Sequence, residues 1–296
     1  MTVVLPEKYH VKNLLENRKV ECMTDSEAQK QDIRALRIGM LNIMPMAEKY
    51  EFNLLFSLGK SVLQIEPVWI KLKSHSYKSS DRDHLDSYYV DFEEAAAEGL
   101  DGLILTGAPV EHKKFAEINY WEEIRDILKY ARNNIASTLG ICWGGLALAE
   151  MMGLQKVNFS NKLFGVFEGK NLDRTHPVTG ELDDLFYCPQ SRHAGITDEE
   201  MEEKSNAGII KLLAYSKEAG YFIFESSDGK YLAHLGHPEY NSGRLVEESA
   251  RDKKAGREDV GPPVNFDPEN PTNRWRGHRN EFFTQWIKYI YENTKM

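Results

Sequence analysis

Residues 135–152, IASTLGICWGGLALAEMM, constrain this chain more than any other stretch. Small and branched residues read as a buried strand. Gly140-Ile141-Cys142-Trp143-Gly144 reads as a sharp turn, and a helix opens in the 144–147 region. G-x-C-x-G is the nucleophile-elbow pattern with cysteine in place of serine. A side chain two positions either side of the cysteine would clash with neighbouring backbone, so the turn demands Gly140 and Gly144. Such an elbow holds a sulfur at the carboxyl end of a strand and the amino end of a helix. There the helix dipole and free N–H groups favour a thiolate and can hold a developing oxyanion. The competing reading makes Cys142 a small buried hydrophobe. The catalytic reading requires a base, an orienting group and a substrate from elsewhere in the chain.

The 296 residues suffice for one domain with a sizeable core. A single domain over 1–296 is expected, with an N-terminal arm over about 1–34 and a C-terminal loop and helix over about 257–296. A formal charge of -9 argues against nucleic-acid or acidic-membrane partners, while leaving room for a local basic pocket. Cys22, Cys142 and Cys188 form no CxxC pair and no tight Cys/His spacing. No metal site is expected from them, and a reducing, cytoplasmic compartment is. The first 23 residues lack an apolar core of signal-peptide length, and no run approaches 18 apolar residues, so no membrane span is expected.

Taken in order, residues 8–18 read as a short amphipathic helix, 36–43 as a strand stopped by Pro45, and 50–58 as a helix. A strand at 67–72 follows, then a helix over about 84–98, and a strand at 100–107 ending in Gly107-Ala108-Pro109. Residues 120–132, YWEEIRDILKYAR, form an amphipathic helix before the strand that delivers Cys142. Strands alternating with helices call for an α/β fold, a mostly parallel sheet with helices on both faces. Active sites in such sheets lie at the carboxyl ends of the strands. The second half is strand-rich, at 163–168, 185–188, 209–216, 221–226 and 231–235, and a hairpin turn falls at 227–230. A helix at 242–256, a proline-rich loop at 261–273 and a helix at 279–293 close the chain.

A cysteine nucleophile needs a base, and the base needs an orienting carboxylate. His237 and Glu239 lie two apart, just past a buried strand, where both side chains can point to one side. Pro238 fixes the backbone between them. The competing possibility is a plain His-Pro turn with a surface glutamate. For the oxyanion, the backbone N–H of Trp143 is the expected donor, with a second from the 107–110 turn.

Six ordered motifs then carry a resemblance: Gly107-Ala108-Pro109, Ile141-Cys142-Trp143-Gly144, Ser191-Arg192, Gly236-His237-Pro238-Glu239-Tyr240, Arg251-Asp252 and Trp275-Arg276-x-His278. Over residues 2 to 290 the chain resembles the homoserine O-acyltransferases of methionine synthesis. The resemblance implies a flavodoxin-like fold of the class I glutamine-amidotransferase kind, a Cys142-His237-Glu239 triad, an acyl-enzyme mechanism and a homodimer. It implies that Lys162, Ser191 and Arg251 bind substrate, Arg251 by clamping the amino acid's carboxylate. Glu111 occupies the position that separates acyl donors in this family: glycine there admits succinyl, glutamate selects acetyl. A glutamate fills volume and repels the free carboxylate of a succinyl group. Acetyl-CoA is therefore the expected donor, as a substrate with no bound cofactor, and homoserine the expected acceptor. Without the resemblance, Lys162 and Arg251 read as solvated surface charge.

The chain departs from the family pattern in three places. Tyr50-Glu51-Phe52-Asn53 replaces threonine-glutamate-x-glutamine, Gly145-Leu146-Ala147 replaces alanine-glutamine-alanine, and Gln190 replaces a histidine. Serine, one methylene shorter, is the rival acceptor, because a single methylene is worth only ~1–3 kcal/mol of discrimination. A succinyl-CoA-using homologue is the alternative by donor. A glutaminase shares the fold and the Cys-His-Glu set, but Glu111, Lys162 and Arg251 speak against it. A non-catalytic binding protein on this scaffold is opposed by the presence of all three triad residues.

Overall fold

The computed structural model describes residues 2–31 and 33–294. In chain order the first half contains β1 (Thr2–Val4), α1 (Lys12–Asn17), β2 (Glu21–Met23), α2 (Asp25–Ala28), β3 (Leu36–Leu41), α3 (Ala47–Leu58) and β4 (Ile65–Lys71). It continues with α4 (Arg82–Tyr88), β5 (Tyr89–Asp91), α5 (Phe92–Ala97), β6 (Gly102–Leu105), α6 (Trp121–Asn134), β7 (Ser137–Ile141) and α7 (Trp143–Met151). The second half adds β8 (Val157–Asn171), β9 (Leu185–Gly195), α8 (Asp198–Asn206), β10 (Ile210–Ser216), β11 (Gly220–Ser226) and β12 (Tyr231–His234). The last helices are α9 (Ser242–Lys254) and α10 (Arg276–Asn293).

All strands join one sheet in the order β2-β1-β4-β3-β6-β7-β12-β11-β10-β8-β9, and β5 pairs with β4. From β2 to β12 the neighbours run parallel, and from β12 to β9 antiparallel. The α/β expectation holds. The parallel half brings the ends of β3, β6, β7 and β12 side by side, and there the buried strand β7 (its five residues are all buried) ends at Cys142.

Several elements differ from the sequence reading. The single helix expected over 84–98 is two helices, α4 and α5, split by β5, whose Tyr89, Val90 and Asp91 pair with Trp69, Ile70 and Lys71. Residues 1–34, read as an arm, supply β1 and β2 to the sheet edge, with Val3 paired to Ile65. Three-residue edge strands carry too little alternation to be seen as strands. Helix α8 is an addition to the sequence reading. It is announced locally by Thr197, whose hydroxyl accepts from the Glu200 N–H, and by three acidic residues in its first turn. Strands β8 and β9 run well beyond 163–168 and 185–188, pairing from Val157–Gly195 to Lys170–Leu185. The proline-rich loop stays irregular but lies along β8, where Val264 and Asp259 bond to Phe164, Val166 and Lys162.

Glu51 is fully buried and ties the N-terminal edge to α3: Tyr9, Tyr89 (2.8 Å) and His84 (2.7 Å) all bond to its carboxylate. His10, Glu51 and His84 thereby place one ligand-type atom each within 4.8 Å of one another, a grouping that their sequence spacing does not signal. Among the described residues no helix is long and apolar enough to cross a membrane.

Helix α7 sits on the sheet at glycine contacts. A Cβ on Gly144 would lie 2.1 Å from the Leu105 carbonyl oxygen, and one on Gly140 would lie 2.4 Å from that of Gly144. Gly277, in the first turn of α10, faces open space. Gly144→Ala is expected to lower stability by roughly 3 kcal/mol, and Gly277→Ala to raise it by about 0.5–1 kcal/mol. Urea unfolding of the two variants beside the parent measures both signs.

Candidate active site

The elbow forms as its glycines require. Cys142 caps α7 with φ 53 and ψ -113, a conformation few non-glycine residues adopt. It is held there by its own N–H, which donates to the His234 carbonyl (2.8 Å). Trp143 behind it is buried and packs against Phe115, Tyr120 and Trp121. The first N–H groups of α7, that of Trp143 among them, have no acceptor within their own helix. In the 107–110 turn the Val110 N–H is taken by the Ala108 carbonyl (2.9 Å), which leaves Gly107 and Ala108 as sources of a second donor.

His237 follows the end of β12, the strand paired to β7, and its backbone N–H is pinned to the Pro189 carbonyl (2.8 Å). The His237 Nδ1 lies 2.7 Å from Glu239 Oε1, and both side chains are buried. Position 107 lies against both residues: a Cβ there would lie 3.5 Å from Cys142 Cβ and 3.8 Å from His237 Cε1. Burial opposes a charge on His237, but the Cys142 sulfur and the Glu239 carboxylate outweigh it and hold the imidazolium well above the usual histidine range. The arrangement therefore favours a protonated His237 beside the Cys142 sulfur. The plain-turn reading of His-Pro-Glu fails, because Glu239 is inside the protein.

Tyr50 and Tyr240 complete this part of the site, and the sequence reading gives neither a role. The Tyr50 hydroxyl donates to Glu239 Oε1 (2.5 Å), the same oxygen that receives His237. Burial and the Glu239 charge push its pKa far up, so it stays a donor. The Tyr240 ring stacks on His237 at 4.0 Å between centroids. His234 turns away from this group: it accepts from the Gly236 N–H and is kept neutral by burial, its pKa falling to about 3.

Lys162, Ser191 and Arg251 are brought together by two carboxylates that sequence reasoning misses. Glu248 and Asp252 lie four apart on α9 and are buried. Ser191 Oγ donates to Glu248 Oε2 (2.6 Å), and Lys162 Nζ lies 2.7 Å from Asp252 and 3.7 Å from Glu248. Arg251 reaches Asp252 at 2.9 Å but leaves its side chain 58% exposed. Lys162 is not the solvated surface charge that composition suggests; its side chain is 5% exposed. Arg244, one turn before Glu248, approaches that carboxylate at 3.5 Å and packs over Tyr240. Burial alone would raise the pKa of Glu248, but Lys162, His237, Arg244 and Ser191 together lower it. The only local signal is the spacing of Arg244, Glu248 and Asp252 for one helix face.

The remaining residues fall around this core. Glu111 lies on the turn after β6, its carbonyl accepting from Lys156. Of the departures from the family pattern, Asn53 accepts from Asn241 (3.1 Å), so positions 50 and 53 of α3 both touch the His237 loop. Gly145 and Leu146 are buried, and a Cβ on Gly145 would come within 3.0 Å of Leu235. Gln190 is buried and accepts from Arg192 Nε (3.0 Å). A cleft of about 400 Å³ opens at the strand ends, between Met44, His75, Lys78, Val110 and Lys113.

The fold is that of the class I glutamine amidotransferases. A glutamine amidotransferase from Thermotoga maritima matches 88% of this chain and 97% of its own with a TM-score of 0.50 at 13% identity. The glutaminase domain of Trypanosoma brucei CTPS matches 88% and 96% with a TM-score of 0.51 at 12% identity. Residues 2–296 match the family model described as homoserine O-succinyltransferase, and the chain belongs to that family. Similar proteins named homoserine O-acetyltransferase include those of Petrotoga mobilis (38% identical over 99% of this chain and 96% of theirs) and Bacillus subtilis (36%, 99% and 98%).

Removing the Tyr50 hydroxyl leaves more of the Glu239 charge to His237. In a Cys142→Ala background, Tyr50→Phe is expected to raise the His237 pKa, read by NMR titration of the imidazole. A fall would show that the tyrosine acts in another way.

Proposed function

We propose that this chain is a homoserine O-acetyltransferase working through an acetyl-enzyme. The observation that carries the reading is the Cys142 elbow with His237 and Glu239 behind it and the buried Lys162–Glu248–Asp252 group beside it. The Cys142 thiolate attacks the thioester carbonyl of acetyl-CoA. Backbone N–H groups of Trp143 and the 107–110 turn hold the oxyanion. The tetrahedral adduct collapses, and the CoA sulfur leaves with the proton from His237. The acceptor hydroxyl then gives its proton to the neutral His237 as its oxygen attacks the acetyl thioester, and Cys142 leaves as thiolate. Glu239 holds the imidazole throughout, and Tyr50 holds Glu239.

Lys162 and Arg251 supply positive charge for the acceptor's carboxylate, and Glu248 supplies negative charge for its ammonium. Acetyl rather than succinyl follows from Glu111, whose carboxylate repels a second carboxylate on the acyl group. The family model carries the succinyl name and the relatives the acetyl name. The glutamate side chain decides for acetyl. The same reading makes the protein a homodimer, with the family resemblance as its support, and cytoplasmic, with its sparse, unpaired cysteines as support.

Incubation with acetyl-CoA alone is expected to add about 42 Da to the Cys142 peptide, the mass of one acetyl group. Cys142→Ala should show no adduct and less than about a thousandth of the turnover. Release of ammonia from glutamine without acetylation would identify a glutaminase instead. Glu111→Gly is expected to gain succinyl-CoA activity with homoserine, measured beside acetyl-CoA, with serine as the competing acceptor. A variant that gains none would refute the donor assignment.

A further inference from the structure

Behind the triad, on the far side of the His237 loop, lies a cleft of about 440 Å³ between the ends of α1, α3, α9 and α10. Arg18, Lys60, Arg276 and Arg279 line it with Phe56 and Asn241, and no carboxylate belongs to the lining. In a chain with nine more acidic than basic residues, four cations without one acid is a marked segregation. Among the described residues, none of the four forms an ion pair with a carboxylate in the structure. Lys60 bonds only to the Arg18 and Lys19 carbonyls (2.8 and 3.3 Å).

Arg279 is the decisive residue. It is 2% exposed, yet its guanidinium bonds only to the neighbouring Asn280 Oδ1 (3.1 Å for both Nε and Nη2). A buried guanidinium is normally matched by a carboxylate, because desolvating it alone is costly. Here burial and Arg276 depress its pKa to about 10, opposed by Glu239, and burial with Arg279 lowers that of Lys60. The like charges therefore oppose one another, and a bound anion would relieve them. Arg279 and Lys60 lie over the Phe56 ring at 4.7 and 4.8 Å, so Phe56 orders the cations. Helix α10 begins at this cleft. The Trp275 side chain caps none of its N–H groups, donating instead to the Tyr240 carbonyl (2.7 Å), and the first turn, whose Arg276 lines the cleft, holds no acid.

We propose that this cleft binds a phosphorylated small molecule, with a phosphoryl group held by Arg279, Arg276 and the start of α10. Four cations exceed what one amino-acid carboxylate needs, and the volume admits an organic group beyond the phosphate. The ligand is either the nucleotide end of the acyl-CoA donor or a free phosphorylated effector. The first source rests on the acetyltransferase reading; the binding site itself does not.

Titration calorimetry of the full chain with inorganic pyrophosphate and with adenosine 3′,5′-bisphosphate tests the site without turnover. Saturable binding is expected, weakened at least about tenfold in a Lys60→Gln/Arg276→Gln variant. Arg18→Gln, at an exposed position, should weaken it about threefold and guards against loss of fold in the double variant. No saturable binding to the parent, or equal binding to the variants, overturns the proposal. If the ligand is the donor's nucleotide, pyrophosphate competes with acetyl-CoA, and the variants raise KM for acetyl-CoA but not for acetyl-pantetheine. If it is a free effector, neither happens while pyrophosphate still binds.

Discussion

The close approach of α7 to the sheet governs the rest of this structure. At position 144 the helix backbone comes so near the Leu105 carbonyl that hydrogen is the only tolerable side chain, and at position 140 the strand meets the helix in the same way. Only that approach lets the chain reverse within the residues between β7 and α7. The reversal forces Cys142 to φ 53, a conformation costing of order 1–3 kcal/mol. The cost is offset by burial of Trp143 among three aromatic rings and by the bond from the Cys142 N–H to β12. Because β12 is also the strand that delivers His237, one parallel pairing sets both Cys142 and His237.

Charge follows from that placement. Glu239 is buried with one oxygen shared between His237 and Tyr50, which makes its geometry depend on α3 as much as on its own loop. On the other side, Glu248 and Asp252 are buried carboxylates offset by Lys162, Arg244 and Arg251. Removing Lys162, which serves both carboxylates, would leave negative charge undercompensated in a low-dielectric interior. The site wall is thus a neutralised network, whereas the cleft at the start of α9 holds cations that, among the described residues, pair with no carboxylate. The contrast between two charged regions flanking a single helix separates a group that organises the protein from one suited to an external anion.

The elbow was legible because its requirements are local: two glycines, one cysteine and a strand before them. His237 and Glu239 were legible as a pair for the same reason. What stayed hidden was non-local. Glu248 and Asp252 look like a solvated acidic helix face until Lys162 arrives from β8, some ninety residues earlier in the chain. Tyr50 touches Glu239 across 189 positions. Helices α4 and α5 could not be told from one helix, since the intervening Tyr89-Val90-Asp91 is a strand only by virtue of pairing with β4. Here hydrogen bonds to another element decide the local conformation over intrinsic preference.

The shared fold with glutaminases sharpens a chemical question. A Cys-His-Glu set can pass an acyl group either to water or to another nucleophile, and the triad alone does not choose. For transfer to win, the thioester must outlast its exposure to water until the alcohol binds. Cys142 is 4% and His237 3% exposed, and Tyr240 covers one face of the imidazole. A base so enclosed reaches bulk water poorly, while in the proposed mechanism an alcohol steered by Lys162, Arg251 and Glu248 is delivered to it. On this view the same burial that encloses Cys142 and His237 also suppresses hydrolysis. Selectivity for transfer is then built by the residues on α9 and β8 around a triad that is chemically indifferent.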